Sequence, residues 1–174
     1  MKWQLTMAKN DGYRIVYIDE TLFTRKTVPM AAWTRPKENM AVDVAKLDEP
    51  VLSLLAGISK EKGIEHFRVF DFSVNIDKYI EYLDGLRAAN PDTKIAIFLD
   101  NLSAHTADRS KEAMRKHGFR FIYNVPYSPE YNPIEFVFSQ IKANYRQRRA
   151  KKFMGLLDES HQTMVANAVI NVKK

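Results

Sequence analysis

Residues 94–99, KIAIFL, are apolar at every position after the lysine. A strand with one face in water alternates polar and apolar side chains, so a run that is apolar on both parities must be covered on both faces. That requirement points to helices above and below a sheet, an α/β layering with this strand near its centre. The run ends on Asp100, at its carboxyl end. A helical stretch from about Thr106 to His117 is closed by Gly118, and residues 119–125 (FRFIYNV) read as the next strand. Strand, helix and strand in that spacing make a βαβ crossover.

The rest of the chain fits around this unit. Residues 13–19 (YRIVYID) read as a strand, and 21–28 (TLFTRKTV), after Glu20, as its hairpin partner. Pro29, Pro36 and the polar residues 37–39 mark a loop. Residues 51–59 and 64–72 are two further strands joined by a glycine-containing turn at Lys60–Gly63, and with the first strand they predict an antiparallel sheet. Ile76, Tyr79, Ile80, Leu83 and Leu86 share one helical face, with Ser73 or Asn75 to cap the start and Asn90-Pro91 to stop it. Helices are expected from Pro133 to about Arg149 and over roughly 156–170. The order βββαβαβα plus a last helix is that of a ribonuclease H-like fold, a mixed central sheet with helices on both faces. With 174 residues, no internal repeat and no flexible linker, the expectation is one continuous domain over 1–174.

Composition removes several function classes. The chain is 45% hydrophobic and 28% charged, apolar enough for a packed core. It has no cysteine, so disulfides, zinc fingers and iron–sulfur centres are excluded. No eighteen-residue apolar run or secretion signal is seen, which predicts a soluble, intracellular protein, nuclear in a eukaryote and cytoplasmic or nucleoid-associated in a bacterium. The formal charge of +6 favours a polyanionic partner. Between Lys142 and Lys152 lie six basic residues and no acidic one, which makes that segment the first place to look for phosphate contacts.

Asp19 and Asp100 are both expected to end apolar strands, an odd place for a charge unless it is used. In an open α/β sheet, ligands gather beyond the carboxyl ends of the central strands. Either aspartate alone reads equally well as a turn or cap residue. Asp71 also ends a strand, but nothing downstream singles it out, and its reading is structural. Glu135 has its own bland explanation: Asn132 as N-cap, Pro133 at the first helical position and Glu135 three residues after the cap resemble a capping box. A carboxylate in a first turn nonetheless points out of the helix end, toward what the sheet presents there.

Residues 95–105 (IAIFLDNLSAH) followed by 125–142 (VPYSPEYNPIEFVFSQIK) resemble the second and third catalytic blocks of the mariner superfamily of DDE transposases, including its bacterial insertion-sequence relatives. Thirty-four residues separate Asp100 from Glu135, the spacing of the branch whose third acid is glutamate. Residues 15–20 (IVYIDE) resemble the first block and place Asp19 as the first acid. Family members often carry Trp where this chain has Phe138.

The resemblance implies that Asp19, Asp100 and Glu135 hold two Mg²⁺ ions, for which Mn²⁺ can substitute, about 3.5–4 Å apart for in-line phosphodiester chemistry. It implies cleavage at a transposon end, then attack of the freed 3′-hydroxyl on target DNA, with TA targets favoured and a homodimer as the active assembly. Asn101 and His105 would orient the carboxylate or a phosphate from behind the metal ligands, with a helix-start or packing role as the alternative for His105. Tyr127, Ser128, Pro129, Tyr131, Asn132 and Pro133 would shape the turn that aims Glu135. Full-length relatives carry N-terminal helix-turn-helix modules, and here the first catalytic strand begins about thirteen residues in. A catalytic fragment or one product of a split gene is expected.

At about 100° per residue, Glu135, Lys142, Arg146 and Arg149 fall in one narrow stripe, while Phe138, Ile141 and Tyr145 occupy another face and should be core. The stripe predicts phosphate binding, against the alternative of a solvated cationic face. Trp33, in a stretch loosely like a Trp-containing segment of the family, is expected to pack on the sheet. Two competing functions share the same residues: a stand-alone nuclease that cuts without joining, and a domesticated, catalytically silent DNA-binding module.

Overall fold

The computed structural model describes residues 1–24, 27, 50–125, 128 and 131–172. Five strands form one sheet: β1 (Arg14–Phe23), β2 (Leu52–Ser59), β3 (Gly63–Asp71), β4 (Ile95–Leu99) and β5 (Arg120–Tyr123), in the spatial order β3-β2-β1-β4-β5. β1 is the pivot. It pairs antiparallel with β2 and parallel with β4, and β2–β3 and β4–β5 extend the antiparallel and parallel sides. Around the sheet lie α1 (Lys2–Asn10), α2 (Ile76–Ala88), α3 (Ser103–Thr106), α4 (Asp108–Lys116), α5 (Ile134–Phe153) and α6 (His161–Ile170). The ribonuclease H-like arrangement expected from the sequence is the one observed.

Strand alternation sorts the core onto two faces. Val16, Ile18, Ile95, Ile97 and Leu99 pack against Tyr79, Tyr82, Leu83 and Leu86 of α2 and Met114 of α4. The opposite parity meets different helices. Ile15, Ala96, Phe98 and Ile122 cover Ala8 of α1, while Phe23, Leu52, Leu54 and Ala56 pack against Ile134, Phe138, Ile141 and Tyr145 of α5 and against α6. All five positions of β4 are buried, as its unbroken apolar run requires.

Several element boundaries differ from the sequence reading, each for a local reason. β1 runs without a break through Glu20 to Phe23, so no hairpin turns there; Leu52–Leu55 of β2 supply the ladder opposite residues 20–23. Residues 25, 26 and 28 of the expected partner strand lie outside the described residues. Asn75, not Ser73, caps α2, its side chain accepting from Lys78 N at 2.9 Å. The helix expected over 106–117 is two pieces that meet at Ala107. α6 starts at 161 because Ser160 caps it, accepting from Thr163 N at 3.1 Å. α1 had no counterpart in the sequence reading. Its small apolar face, Ala8 with Met1 and Leu5, is too short to show a clear helical period.

One glycine is required by close approach. A Cβ on Gly57 of β2 would sit 2.5 Å from Tyr82 Oη and 3.0 Å from Val16 Cγ1, both on fully buried side chains. Gly57→Ala is therefore expected to lower unfolding stability by about 1–3 kcal/mol through overpacking, read as a shift in the urea midpoint with an unchanged slope. An unchanged midpoint would show that α2 gives way at no cost.

Candidate active site

The parallel pairing of β1 with β4 sets the two aspartates side by side. Its register runs Arg14↔Ile95 to Tyr17↔Phe98, and carrying it on two residues brings Asp19 level with Asp100. Neighbouring strands lie about 5 Å apart, and both residues have the parity of the sheet face that carries α1 and α5. Asp19 does not end its strand, as the sequence suggested. β1 continues past it against β2, and it is β4 that stops at that level. Asp19 is thus a partly buried carboxylate in the middle of a strand, beside the end of its neighbour.

Two hydrogen bonds hold its carboxylate. Oδ1 accepts from Glu20 N at 2.8 Å and Oδ2 accepts from Asn132 Nδ2 at 2.9 Å. Burial pushes its pKa up from 3.8 to about 6; the Glu20 amide bond opposes this, the negative charges of Asp100 and Glu135 add to it, and His105 pulls it back. Asp100, Glu135 and His105 therefore all lie within electrostatic reach of Asp19. They are not packed as a tight cluster: among the described residues no three acidic or histidine side chains converge closely enough to hold one ion.

Asp100 is fixed from its own side. Its Oδ1 accepts from Leu102 N at 3.2 Å and from His105 Nδ1 at 2.6 Å. A carboxylate can only accept, so His105 carries a proton on Nδ1. His105 is 2% exposed, its ring lies 4.6 Å from that of Tyr79, and its carbonyl accepts from Tyr123 Oη at 3.3 Å. It is packed in place and aimed at the acid. Asn101 does something other than expected: its Nδ2 donates to Asn124 O at 2.9 Å, tying the end of β4 to the exit of β5 rather than touching the Asp100 carboxylate.

Glu135 lies in the first turn of α5 and is exposed, while Ile134 beside it is fully buried and anchors the turn. Asn132 Oδ1 accepts from Ile134 N at 3.5 Å, a long cap to the start of this helix, while its Nδ2 donates to Asp19. The sequence reading missed this use of Asn132, and with it Asn124, whose Nδ2 donates to Ser128 O at 2.8 Å. The available signal was two asparagines flanking a Pro- and Tyr-rich turn, which capping explained without further need. Tyr127, Pro129 and Trp33 lie outside the described residues. Asp71 ends β3, the edge strand two places from β1, well away from this site.

The cationic stripe needs correction at one position. Arg149 is 1% exposed; its Nη1 donates to Tyr145 Oη at 2.7 Å, and its guanidinium lies 5.6 Å from the centre of the Phe153 ring. Of the three bases it is the nearest in angle to Phe138, and that edge of the helix is core. Lys142 and Arg146 stay half-buried on the outer side, whereas Arg148 is bound to both oxygens of Glu159 at 2.8 and 3.0 Å.

The raised pKa of Asp19 has a consequence for stability. The folded chain binds this proton more tightly than the unfolded one, so the stability linked to Asp19 is fully present below pH 3.8 and is lost as pH rises through about 6. Against Asp19→Asn in divalent-free buffer, the native chain should lose about 2–3 kcal/mol between pH 4 and pH 7 in urea titrations. Parallel pH profiles for the two proteins would remove the basis for a buried, mutually repelling carboxylate.

The comparisons with known proteins bear on the family and the fold. The model of a family described as DDE superfamily endonuclease matches residues 14–156. A search of curated proteins found no match. Among solved structures, the catalytic domain of Mos1 mariner transposase superposes with a TM-score of 0.58 at 15% identity, covering 96% of this chain and 82% of that one. The Mos1 transposase paired-end complex with the left transposon end gives 0.60 at 15% identity, covering 97% and 55%. The simian T-cell lymphotropic virus intasome gives 0.63 at 14% identity, covering 90% and 46%. The chain thus spans about half the length of the full transposase and intasome chains it resembles. At these identities the likeness shows a shared ribonuclease H-like fold. The family match covers most of the sequence, from the strand that carries Asp19 to beyond the helix that carries Glu135, and the chain belongs to the DDE superfamily endonucleases.

Proposed function

We propose that this chain is the catalytic domain of a mariner-like transposase, which cuts DNA at transposon ends and joins the freed ends to target DNA, with Asp19, Asp100 and Glu135 as its catalytic acids. The observation that carries the reading is the register that sets Asp19 level with Asp100 where β4 ends, with Glu135 near enough for its charge, like that of Asp100, to raise the pKa of Asp19. Membership of the endonuclease family supports it, as does the fold shared with a transposase bound to its transposon end.

The residues suit a divalent metal. Carboxylate oxygens are the hard donors that Mg²⁺ and Mn²⁺ prefer, and three like charges sharing a half-buried site are relieved by a cation. Asp19, Asp100 and Glu135 would hold two Mg²⁺ ions, with Mn²⁺ as a substitute; structures of the Mos1 protein with Mn and with Mg support this choice. Bound there, the ions supply Lewis acidity to the attacking and leaving oxygens of an in-line displacement. The protein's share is orientation. His105 and the Leu102 amide fix one oxygen of Asp100, Glu20 and Asn132 fix both oxygens of Asp19, and the buried Ile134 seats the turn bearing Glu135. Lys142 and Arg146, on the same edge of α5 as Glu135, would contact phosphates. Pairing two transposon ends calls for a homodimer, and TA-containing DNA is the proposed target.

Asp100→Asn should abolish Mg²⁺-dependent plasmid nicking, by about three orders of magnitude or more, while leaving the thermal melt and metal-free DNA binding close to native. Retained nicking would sink the assignment. Strand transfer with pre-cut ends separates joining from cutting alone; nicking without transfer would favour a nuclease. Lys142→Glu with Arg146→Glu should weaken DNA binding alike on all sequences and flatten its salt dependence by about two units of slope. An unchanged salt slope would return these two residues to a solvated face.

A further inference from the structure

Asn132 is 5% exposed and stands at the mouth of α5, where its type and place predict a helix cap. Its Oδ1 accepts from Ile134 N at 3.5 Å, and its Nδ2 reaches across 113 residues of sequence to Asp19, donating to Oδ2 at 2.9 Å. With the Glu20 amide on Oδ1, both oxygens of Asp19 are tied, so the carboxylate plane cannot turn. A carboxylate has about four lone-pair sites, and these bonds use one on each oxygen, leaving one on each for a cation. The same residue begins the helix of Glu135, whose backbone N donates to Asn132 O at 3.3 Å. One asparagine therefore touches the first acid through its side chain and the third acid through its main chain.

The turn leading to it is braced from the side of the second acid. Asn101, next to Asp100, donates to Asn124 O at 2.9 Å, and Asn124 donates to Ser128 O at 2.8 Å, which also accepts from Tyr131 N at 3.3 Å. A hydrogen-bonded path thus leads from the residue after Asp100 to the residue before Asn132. Asn124 is 8% exposed, and two amides this deeply buried in a turn are costly unless their bonds are made.

We propose that Asn132 is a positioning residue for the metal-binding acids: it locks the Asp19 carboxylate to the first turn of α5, so that Asp19 and Glu135 present their free lone pairs as one preset unit. The inference rests on the endonuclease reading above and adds a residue that acts through Asp19. Loss of the amide frees the Asp19 side chain to rotate. The ions must then order it on binding, which weakens metal affinity more than it weakens DNA binding or the fold. Groups that orient metal ligands from behind typically matter 10–100-fold in affinity or activity.

The test uses the full 174-residue chain and Asn132→Leu, which keeps the branching and the number of heavy atoms and lacks the donor, with the smaller Asn132→Ser as a second variant whose hydroxyl is too short to reach Asp19. Mn²⁺ binding is measured by calorimetry without DNA, and plasmid nicking is measured across a Mg²⁺ titration. Expected are a Mn²⁺ dissociation constant and a half-saturating Mg²⁺ concentration at least about tenfold higher in either variant that folds, with nicking largely restored at saturating Mg²⁺ and unchanged DNA affinity in chelator. Native metal affinity in a folded variant, or a lowered melting temperature with an unshifted Mg²⁺ requirement, overturns the inference while the endonuclease reading stands. If the native chain itself binds no Mn²⁺ and nicks nothing, that reading fails and the inference falls with it.

Discussion

The site depends first on the register of β1 against β4. Parallel neighbours keep equivalent residues level, so two aspartates on the same parity and at the same height become adjacent without any contact between their own side chains. Two oppositely directed requirements meet in that pair. β4 must be apolar throughout because helices cover both its faces, and it must stop at Leu99 so that Asp100 leaves the sheet. β1 must instead continue past Asp19, because β2 runs antiparallel beside it and needs Glu20–Phe23 as partners. The step between a strand that ends and one that continues is where the acids sit.

Bringing negative charges together there works against folding, and the surroundings show how this is tolerated. Asp19 sits partly buried with its proton affinity raised, and hydrogen bonds from Glu20 and Asn132 offset part of that. Asp100 takes two donors on one oxygen, one from a histidine packed on Tyr79. Glu135 remains exposed at a helix N-terminus, where the helix dipole favours a negative charge. The acid whose proton affinity is raised by burial is also the one held at both oxygens, as expected if local stability is given up for orientation at a functional site.

Much of the fold was legible because its signals are local. The apolar run 95–99, the periodic face Tyr79–Leu86 and the alternating strand from residue 14 each contain their own answer, since burial on two faces, on one stripe or on alternate residues leaves a distinct pattern. The missed hairpin at Glu20 shows the limit. A strand's continuation depends on whether a partner runs alongside, and β2 begins almost thirty residues later in the chain. Arg149 shows it again. Angle alone placed it with Lys142 and Arg146, yet a shift of a few tens of degrees toward Phe138 puts a guanidinium into the core, where Tyr145 and Phe153 receive it.

By itself the sequence determined the layer architecture and the family, and it singled out three candidate acids by their spacing, because strand periodicity and short motifs are properties of neighbouring residues. Tertiary structure alone decided which of those residues meet. That Asn132 serves Asp19 as well as its own helix, that Asn101 braces β5 rather than Asp100, and that Arg149 is buried all depend on contacts that local sequence does not show. An amide or a guanidinium is chemically able to play either part, and only the partner that folding places within about 3 Å selects between them.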